Sequence, residues 1–409
     1  MTGNPRRPQV LVMNQYYWPG VEATAHLLSQ LCEGLADEFD VTVVTGMLWG
    51  VDTVSGASTR NGVKIVRVRS TAKDRSSLGL RALNYITYIA QSLRHALKAE
   101  RPDVVICMTD PPVIANVGLI VARRYRVPLI VISQDVFPEI AVALNRIRSP
   151  FLIAALRLLV RYYLKRADQI VAIGETMKAR LIEKGAPAER VHVIPNWTDP
   201  QAITPRTTDN EWAREQEFVG RFVVMHSGNI GHAQNLDALV RSATFLRDLD
   251  RLVVAIVGSG ARRNALMGLA ERLEADAVEF LPYQSRDRLS DSLSSADIHV
   301  VGLASGLAGY VVPSRLYGIL AAGRPVIVAA ESTSETAQLI TRIGCGIVVP
   351  PGRPELLAEV IRSAYAGALP LEEMGSRGRD WVVAEGGAAI ALARYRALIS
   401  DVVTAGRRP

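Results

Sequence analysis

An arginine in the first turn of a helix is electrostatically misplaced unless an anion answers it. The stretch PSRLYGILAAGRPVI, residues 313 to 327, puts Arg315 there, directly after Ser314, in a helix-compatible run that ends at Gly323 before an apolar strand. A helix start leaves backbone N–H groups without partners and carries partial positive charge, which Arg315 opposes. A diphosphate docked at that start reconciles the two, with Ser314 as N-cap, Arg315 as an added cation, and Pro313 and Leu316 on either side. The alternative is an ordinary surface arginine. Three glycine-bearing loops suit the same ligand: Tyr17-Trp18-Pro19-Gly20, the run HSGNIGHAQN with Gly228, Asn229, Gly231, His232 and Gln234, and VGSGARR with Gly258, Gly260 and Arg262. Each alone is a turn; together they fit a nucleotide carrying a diphosphate. Tyr283, in FLPYQ, offers a ring or backbone contact to the base. Glu335, opening ESTSETAQLI, is either a helix-start charge or a holder of sugar or ribose hydroxyls.

Chemistry on such a ligand also needs a group that takes or polarises a proton. Asp135 and Glu139 follow a strand in SQDVFPE, and Asp135 is either a structural cap or a group that acts on a substrate hydroxyl. His26, early in the first helix, and His232 are the histidines placed to reach a ligand; His95, His192, His226 and His299 read as packing or surface. Cys32, Cys107 and Cys345 are too widely spaced to suggest a disulfide framework or a metal cluster.

The residues that would position these groups alternate apolar strands with amphipathic helices, twice. PQVLVMNQ, DVTVVTG, VKIVRVRS, PDVVICMT, VPLIVISQD, QIVAIG and RVHVIPN make the first set; RFVVMHSG, RLVVAIVGSG, AVEFLPY, ADIHVVGL, RPVIVAA and CGIVVPP make the second. The pattern predicts an α/β fold of two Rossmann-like domains with parallel sheets facing a central cleft, divided near residue 205 in the polar stretch DPQAITPRTTDNEWAREQE. Residues 1–205 form the first domain, 206–386 the second, and 387–409 a C-terminal helix.

At 409 residues and 49% hydrophobic, the chain can bury two cores. Its charge is uneven: residues 1–205 hold 25 Lys and Arg against 17 Asp and Glu, and the remainder 22 against 23. The basic excess suits an anionic partner. No nucleic-acid motif accompanies it, so a nucleic-acid-binding protein is disfavoured. No G-x-G-x-x-G follows the first strand, which argues against a dehydrogenase. The sequence carries neither a signal-peptide pattern nor a span-length apolar run, so a cytoplasmic protein is expected, peripheral on the inner face of the membrane if it meets one. Residues 78–98 place Leu83, Ile86, Ala90, Leu93 and Leu97 on one helical face, and residues 140–167 carry six basic residues without an acid. That combination suits an anionic leaflet, although a helix packed on a sheet shows the same stripe.

In order and spacing, HVIPNW, SGNIGHAQNL, VGSGAR, FLPYQSRDRL, ADIHVV and PSRLYGILAAGRPVI resemble GT-B glycosyltransferases of family 4, and within it the bacterial colanic-acid and O-antigen enzymes that include fucosamine transferases. QYYWPGVEATAHLLSQL and SQDVFPEIAVAL extend the resemblance into the first half. It implies retaining, metal-independent transfer of a sugar from a nucleotide diphosphate sugar, with a UDP-sugar favoured, to a lipid-linked or soluble glycan or small-molecule acceptor. It also implies an acceptor-binding first domain, a nucleotide-sugar-binding second domain, and a last helix that crosses back to the first. The family's E-x7-E pair falls on Tyr310 and Gly318, so both carboxylates are exchanged. Its diphosphate-gripping basic pair is replaced by Asn229 and Gln234, which leaves Arg315, with Arg262 or Arg263 behind it, to hold the diphosphate. Gln134 stands where the family often has a histidine. Those losses keep open a non-catalytic nucleotide-sugar-binding subunit, and the fold also serves nucleotide-sugar epimerases.

Overall fold

The computed structural model describes residues 6–20, 22–73 and 78–406. They form two compact units, one of the described residues up to 195 with 391–406 and the other of residues 196–390.

In unit 1 the strands are β1 (Gln9–Met13), β2 (Asp40–Thr45), β3 (Gly56–Arg60), β4 (Val63–Arg67), β5 (Val104–Met108), β6 (Leu129–Ser133), β7 (Gln169–Ala172) and β8 (Val191–Val193). Between them run α1 (Ala23–Leu35), α2 (Leu78–Ala96), α3 (Ile114–Tyr125), α4 (Glu139–Ala143), α5 (Pro150–Leu164) and α6 (Glu175–Glu183). The strand order is β3-β4-β2-β1-β5-β6-β7-β8. All neighbours are parallel except β3, which runs antiparallel to β4. β5 and β6 are buried along their whole length, which is why they read as unbroken apolar runs. β3, with the sequence GASTR, is exposed almost throughout and has no apolar alternation for a sequence reading to find. The chain leaves β1 towards β2 on one side and returns to β5 on the other. The strand order therefore reverses between β1 and β5, and the region beyond the carboxyl ends at such a switch point is where open α/β sheets bind ligands.

Unit 2 repeats the plan. After α7 (Glu211–Glu215) come β9 (Phe222–Asn229), α8 (Asp237–Ala243), β10 (Leu252–Ser259), α9 (Arg263–Arg272), β11 (Val278–Leu281), α10 (Leu289–Ser294) and β12 (Ile298–Gly302). Then follow α11 (Arg315–Ala321), β13 (Val326–Ala329), α12 (Glu335–Ile343), β14 (Gly346–Val349), α13 (Pro354–Tyr365), α14 (Leu371–Trp381) and α15 (Ala388–Gly406). The order β11-β10-β9-β12-β13-β14 places the switch between β9 and β12. Val254, Ile256, Ile298, Val300 and Ile327 fill the core beneath α8, α9 and α13. Each such side chain contributes about 1.5–3 kcal/mol on full burial, enough together to hold the strand ends rigid.

The division after Pro195 comes ten residues before the boundary near 205 read from composition. The polar stretch is not a loose tether. Arg379 donates to the carbonyls of Pro200, Ile203 and Ala321, and the Thr204 and Arg206 N–H groups donate to Ser290 and Ser294. Polar side chains satisfy its backbone, so it packs on unit 2 without an apolar pattern. At the other end, residues from Ala391 belong to unit 1, where Arg396 meets Asp37 (3.2 Å) and Glu38 (3.3 Å) beside α1.

Candidate functional site

The residues read from the sequence as nucleotide-binding collect beyond the carboxyl ends of the unit 2 strands, around β9 and β10. β9 and β10 run in register to their ends, pairing Gly228 with Gly258 and Asn229 with Ser259. Beyond the strands, the Ile230 N–H donates to Ser259 O (2.8 Å) and the Arg262 N–H to Ile230 O (2.9 Å), so the two glycine loops close on each other. Such close approach needs glycine. A Cβ at Gly258, whose φ is +144°, would lie 1.9 Å from Gly228 O, and one at Gly260, φ +155°, would lie 2.3 Å from Ile230 O. The Asn229 side chain sits between Gly231 and Gly260.

Arg315 reaches over this cradle. A Cβ on Gly228 would meet Arg315 Nε at 3.0 Å, and the guanidinium lies 5.9 Å from the ring of half-exposed Tyr283. A cation, an aromatic face and a glycine floor thus share one place. The helix behind Arg315 differs from expectation in one respect: Ser314 has helical angles (φ −64°, ψ −22°), and its side chain makes no capping bond. Capping needs an extended N-cap backbone. Leu316 is fully buried and serves the core, while Pro313 is half-buried.

Three other expected ligands are occupied. Arg262 is held by both carboxylate oxygens of Asp237 (2.7 and 2.8 Å). Arg263 lies against Phe280 and Met267. Gln234 accepts from the Gly231 N–H (3.1 Å), bracing its own loop, and its carbonyl sits so close to Gly302 that a Cβ there would lie 2.0 Å away. His232 is exposed on the same loop. Glu335 is the first residue of α12, where Ser334 is the cap, and its charge adds to burial in raising the Tyr317 hydroxyl. A Cβ at Gly318 would contact Ile203 and Leu293, so that position faces apolar packing.

His226, read from the sequence as packing, braces the cradle: its ring meets Val300 O (3.2 Å) and Asn229 O (3.4 Å). Burial lowers it to about 4, against those carbonyls and with help from Arg315; burial likewise lowers His299 to about 4. Between that value and the ordinary 6.5 the folded state binds fewer protons than the unfolded chain, so stability falls as pH falls through the window. Denaturation midpoints at neutral pH and near pH 4.5 should show the loss, and His299→Asn should make it smaller. An unchanged pH slope in the variant would remove His299 from the account.

Unit 1 holds the acid. Asp135 follows β6 by two residues, half-buried, and the Gln134 N–H beside it donates to Thr109 Oγ1 (3.0 Å), tying the ends of β5 and β6. Burial first, then the charge of Asp110, push Asp135 up to about 7; Arg81 pulls it down. Asp110 is fixed by Thr24 Oγ1 (3.2 Å) and, through its backbone, by Asn14 and Gln15 after β1. Arg81, on α2, donates to Tyr85 (3.1 Å); burial works against its charge, but Tyr85, Tyr16 and Asp110 together raise it. Two carboxylates, a guanidinium and tyrosines therefore stand at the β1/β5 switch. Asp110 and Arg81 were missed from the sequence because Asp110 looks like a turn residue in TDPP and Arg81 like surface charge. The signal available was the strand order, since Asp110 follows β5, the strand at the switch, by two residues.

Glu139 is not a free acid. Lys184 and Arg157 (3.1 Å) both bind it, and they outweigh burial to hold it below the usual carboxylate range. It ties α4 to α5 and α6. His26 is half-buried in the first turn of α1, but the α1 side chain that enters the carboxylate cluster is Thr24. Gly20 closes a turn to Tyr17 O (2.9 Å). No group of three or more metal-ligating side chains occurs among the described residues.

Comparison with known proteins bears on the family and the fold. A family model described as "Glycosyl transferase 4-like domain" matches residues 22–197, and one described as "Glycosyl transferases group 1" matches residues 208–381. A protein of Escherichia coli K12 named for a colanic acid biosynthesis glycosyl transferase, WcaI, is 34% identical over 205 residues, 49% of this chain and 50% of its own length. The chain thus spans about half of that relative. WbjE of Pseudomonas aeruginosa, named as a glycosyltransferase, is 27% identical over 275 residues, 66% of this chain and 68% of its own. Among solved structures, HepE of Anabaena, in complex with UDP, superposes with a TM-score of 0.73 at 14% identity, covering 96% of this chain and 100% of that one. That likeness concerns the fold, two parallel-sheet α/β units of the GT-B class. The two models together span most of the chain, one over each unit, so the chain belongs to the glycosyltransferases, with a 4-like domain in its first unit and a group 1 domain in its second.

Proposed function

We propose that the chain is a retaining glycosyltransferase that moves a sugar from a nucleotide diphosphate sugar to a hydroxyl of a lipid-linked or soluble glycan acceptor, without a bound metal. The observation that carries the reading is Arg315 over the glycine floor of unit 2, beside Tyr283. A diphosphate there meets a guanidinium that can bind two oxygens at once, and the aromatic face suits a base. The UDP bound by HepE supports UDP as the nucleotide. Asp135, with its proton affinity brought near neutrality, serves the acceptor hydroxyl in unit 1.

A thermal-shift screen of nucleoside diphosphates and their sugars, followed by calorimetry, tests the reading. UDP and its sugars are expected to raise the melting temperature most, and chelator should leave turnover unchanged. If no nucleoside diphosphate binds, the reading fails. Tyr310 and Gly318 in place of the family's glutamates favour one competitor, a nucleotide-sugar-binding subunit without activity. It would show the same binding and no transfer.

A further inference from the structure

α5 is apolar on two faces. Val160, Tyr163 and Leu164 are buried against unit 1, as a packed helix requires, yet Phe151 and Leu158 are 87% and 69% exposed, with Leu152 and Leu159 open beside them. A helix bordering only water would carry polar residues on that outer face. α2 does the same. It turns Asn84, Tyr88, Ser92 and Ala96 inward, so the stripe read from its sequence faces out, with Ile86 63% exposed and Leu83 and Leu97 also open. α3 packs between α2 and α5 and adds Ile120, half exposed. Three adjoining helices thus present large apolar side chains away from the sheet.

Cations surround them. From Ile140 to Ala167 the chain has six basic residues and no acid. Arg157 is shared with Glu139, and Arg166 stacks on Tyr162, itself on α5, at 4.0 Å. Arg161 and Lys165 are exposed, and Arg123 on α3 bonds Tyr162 (3.1 Å). We propose that the outer faces of α2, α3 and α5 dock unit 1 on an anionic lipid leaflet, apolar side chains entering the headgroup boundary while the guanidinium and ammonium groups meet lipid phosphates. A second copy of the chain fits less well, because self-pairing of this face brings two fields of like charge together. No helix among the described residues is long and apolar enough to cross a membrane. The inference rests on the proposed transfer reaction only in giving it an acceptor on a lipid.

Flotation with vesicles of pure phosphatidylcholine, and of phosphatidylcholine with one-third phosphatidylglycerol, tests it at low and high salt. The protein should float with the anionic vesicles at low salt and release at high salt. The combined Arg161→Gln, Lys165→Gln and Arg166→Gln variant should bind on the order of a hundredfold more weakly. Phe151→Ser with Leu158→Ser should also lose binding, and its effect should persist at low salt. These side chains are exposed, so melting temperatures should match the wild type. The proposal is overturned if the wild type stays unbound, if both variants bind as well as it does, or if sedimentation shows a dimer that Phe151→Ser with Leu158→Ser dissolves. UDP calorimetry on the same samples, which reads unit 2, separates failure here from failure of the transfer reading.

Discussion

Asp135→Asn is expected to lower turnover by about two to four orders of magnitude, the scale of a lost general base, while leaving nucleotide affinity unchanged because the cradle belongs to unit 2. The reasoning starts from strand order. The strand order reverses between β1 and β5, and the segments that follow β5 and β6 put Asp110 and Asp135 near each other and near Arg81. Burial and Asp110 raise Asp135 to about 7, so activity in the wild type should fall as pH falls through that value. Asp110→Asn removes one of the two raising influences and should carry this acid limb to lower pH. Stability runs the other way. A carboxyl with a raised folded pKa favours folding below its unfolded value of 3.8, and that advantage is lost as pH rises through about 7. Asp135→Asn should therefore melt above the wild type at pH 8, with the gap closing in acid. Steady-state kinetics and melting across pH decide the matter. Lower stability at pH 8 with unchanged turnover would make Asp135 a structural residue.

The same group shows what a sequence holds and what it withholds. β5 and β6 were legible because burial on both faces writes itself as unbroken VVICM and LIVIS. β3 was not, since GASTR pairs through its backbone while its side chains stay in water. Asp135 stood out by its place after a strand, but Asp110 becomes a site residue only once the order β2-β1-β5 is known, and order is not a local property. Glu139 shows the opposite case. Its place after a strand suggested chemistry, and only the fold brings Lys184, 45 residues away, onto its carboxylate. Arg262 likewise has a partner that a local reading does not show, since Asp237 lies 25 residues earlier, on α8. Residue type and strand-end position thus identify candidates, while charge pairing across the fold decides which of them stay available.

That availability sets the expectation for Arg315→Ala: nucleotide diphosphate affinity should fall by about 1.5–3 kcal/mol, the range for a hydrogen bond to a charged group, or roughly ten- to 150-fold by calorimetry. Among the cations proposed for the diphosphate, Arg262 is held bidentate by Asp237 and Arg263 lies on Phe280, which leaves Arg315 over Gly228. Arg315→Lys should restore only part of the loss, since an ammonium is a point charge and cannot span two phosphate oxygens as a planar fork does. Half-buried Arg315 also presses on His226, helping to hold it neutral. Its removal should let His226 bind a proton at somewhat higher pH, which NMR titration of the ring would record even without nucleotide. That second readout fixes the location: a shifted His226 together with unchanged UDP affinity would mean that Arg315 occupies the cradle without serving the diphosphate. Asp237→Ala, which frees Arg262, would then be the variant expected to change binding.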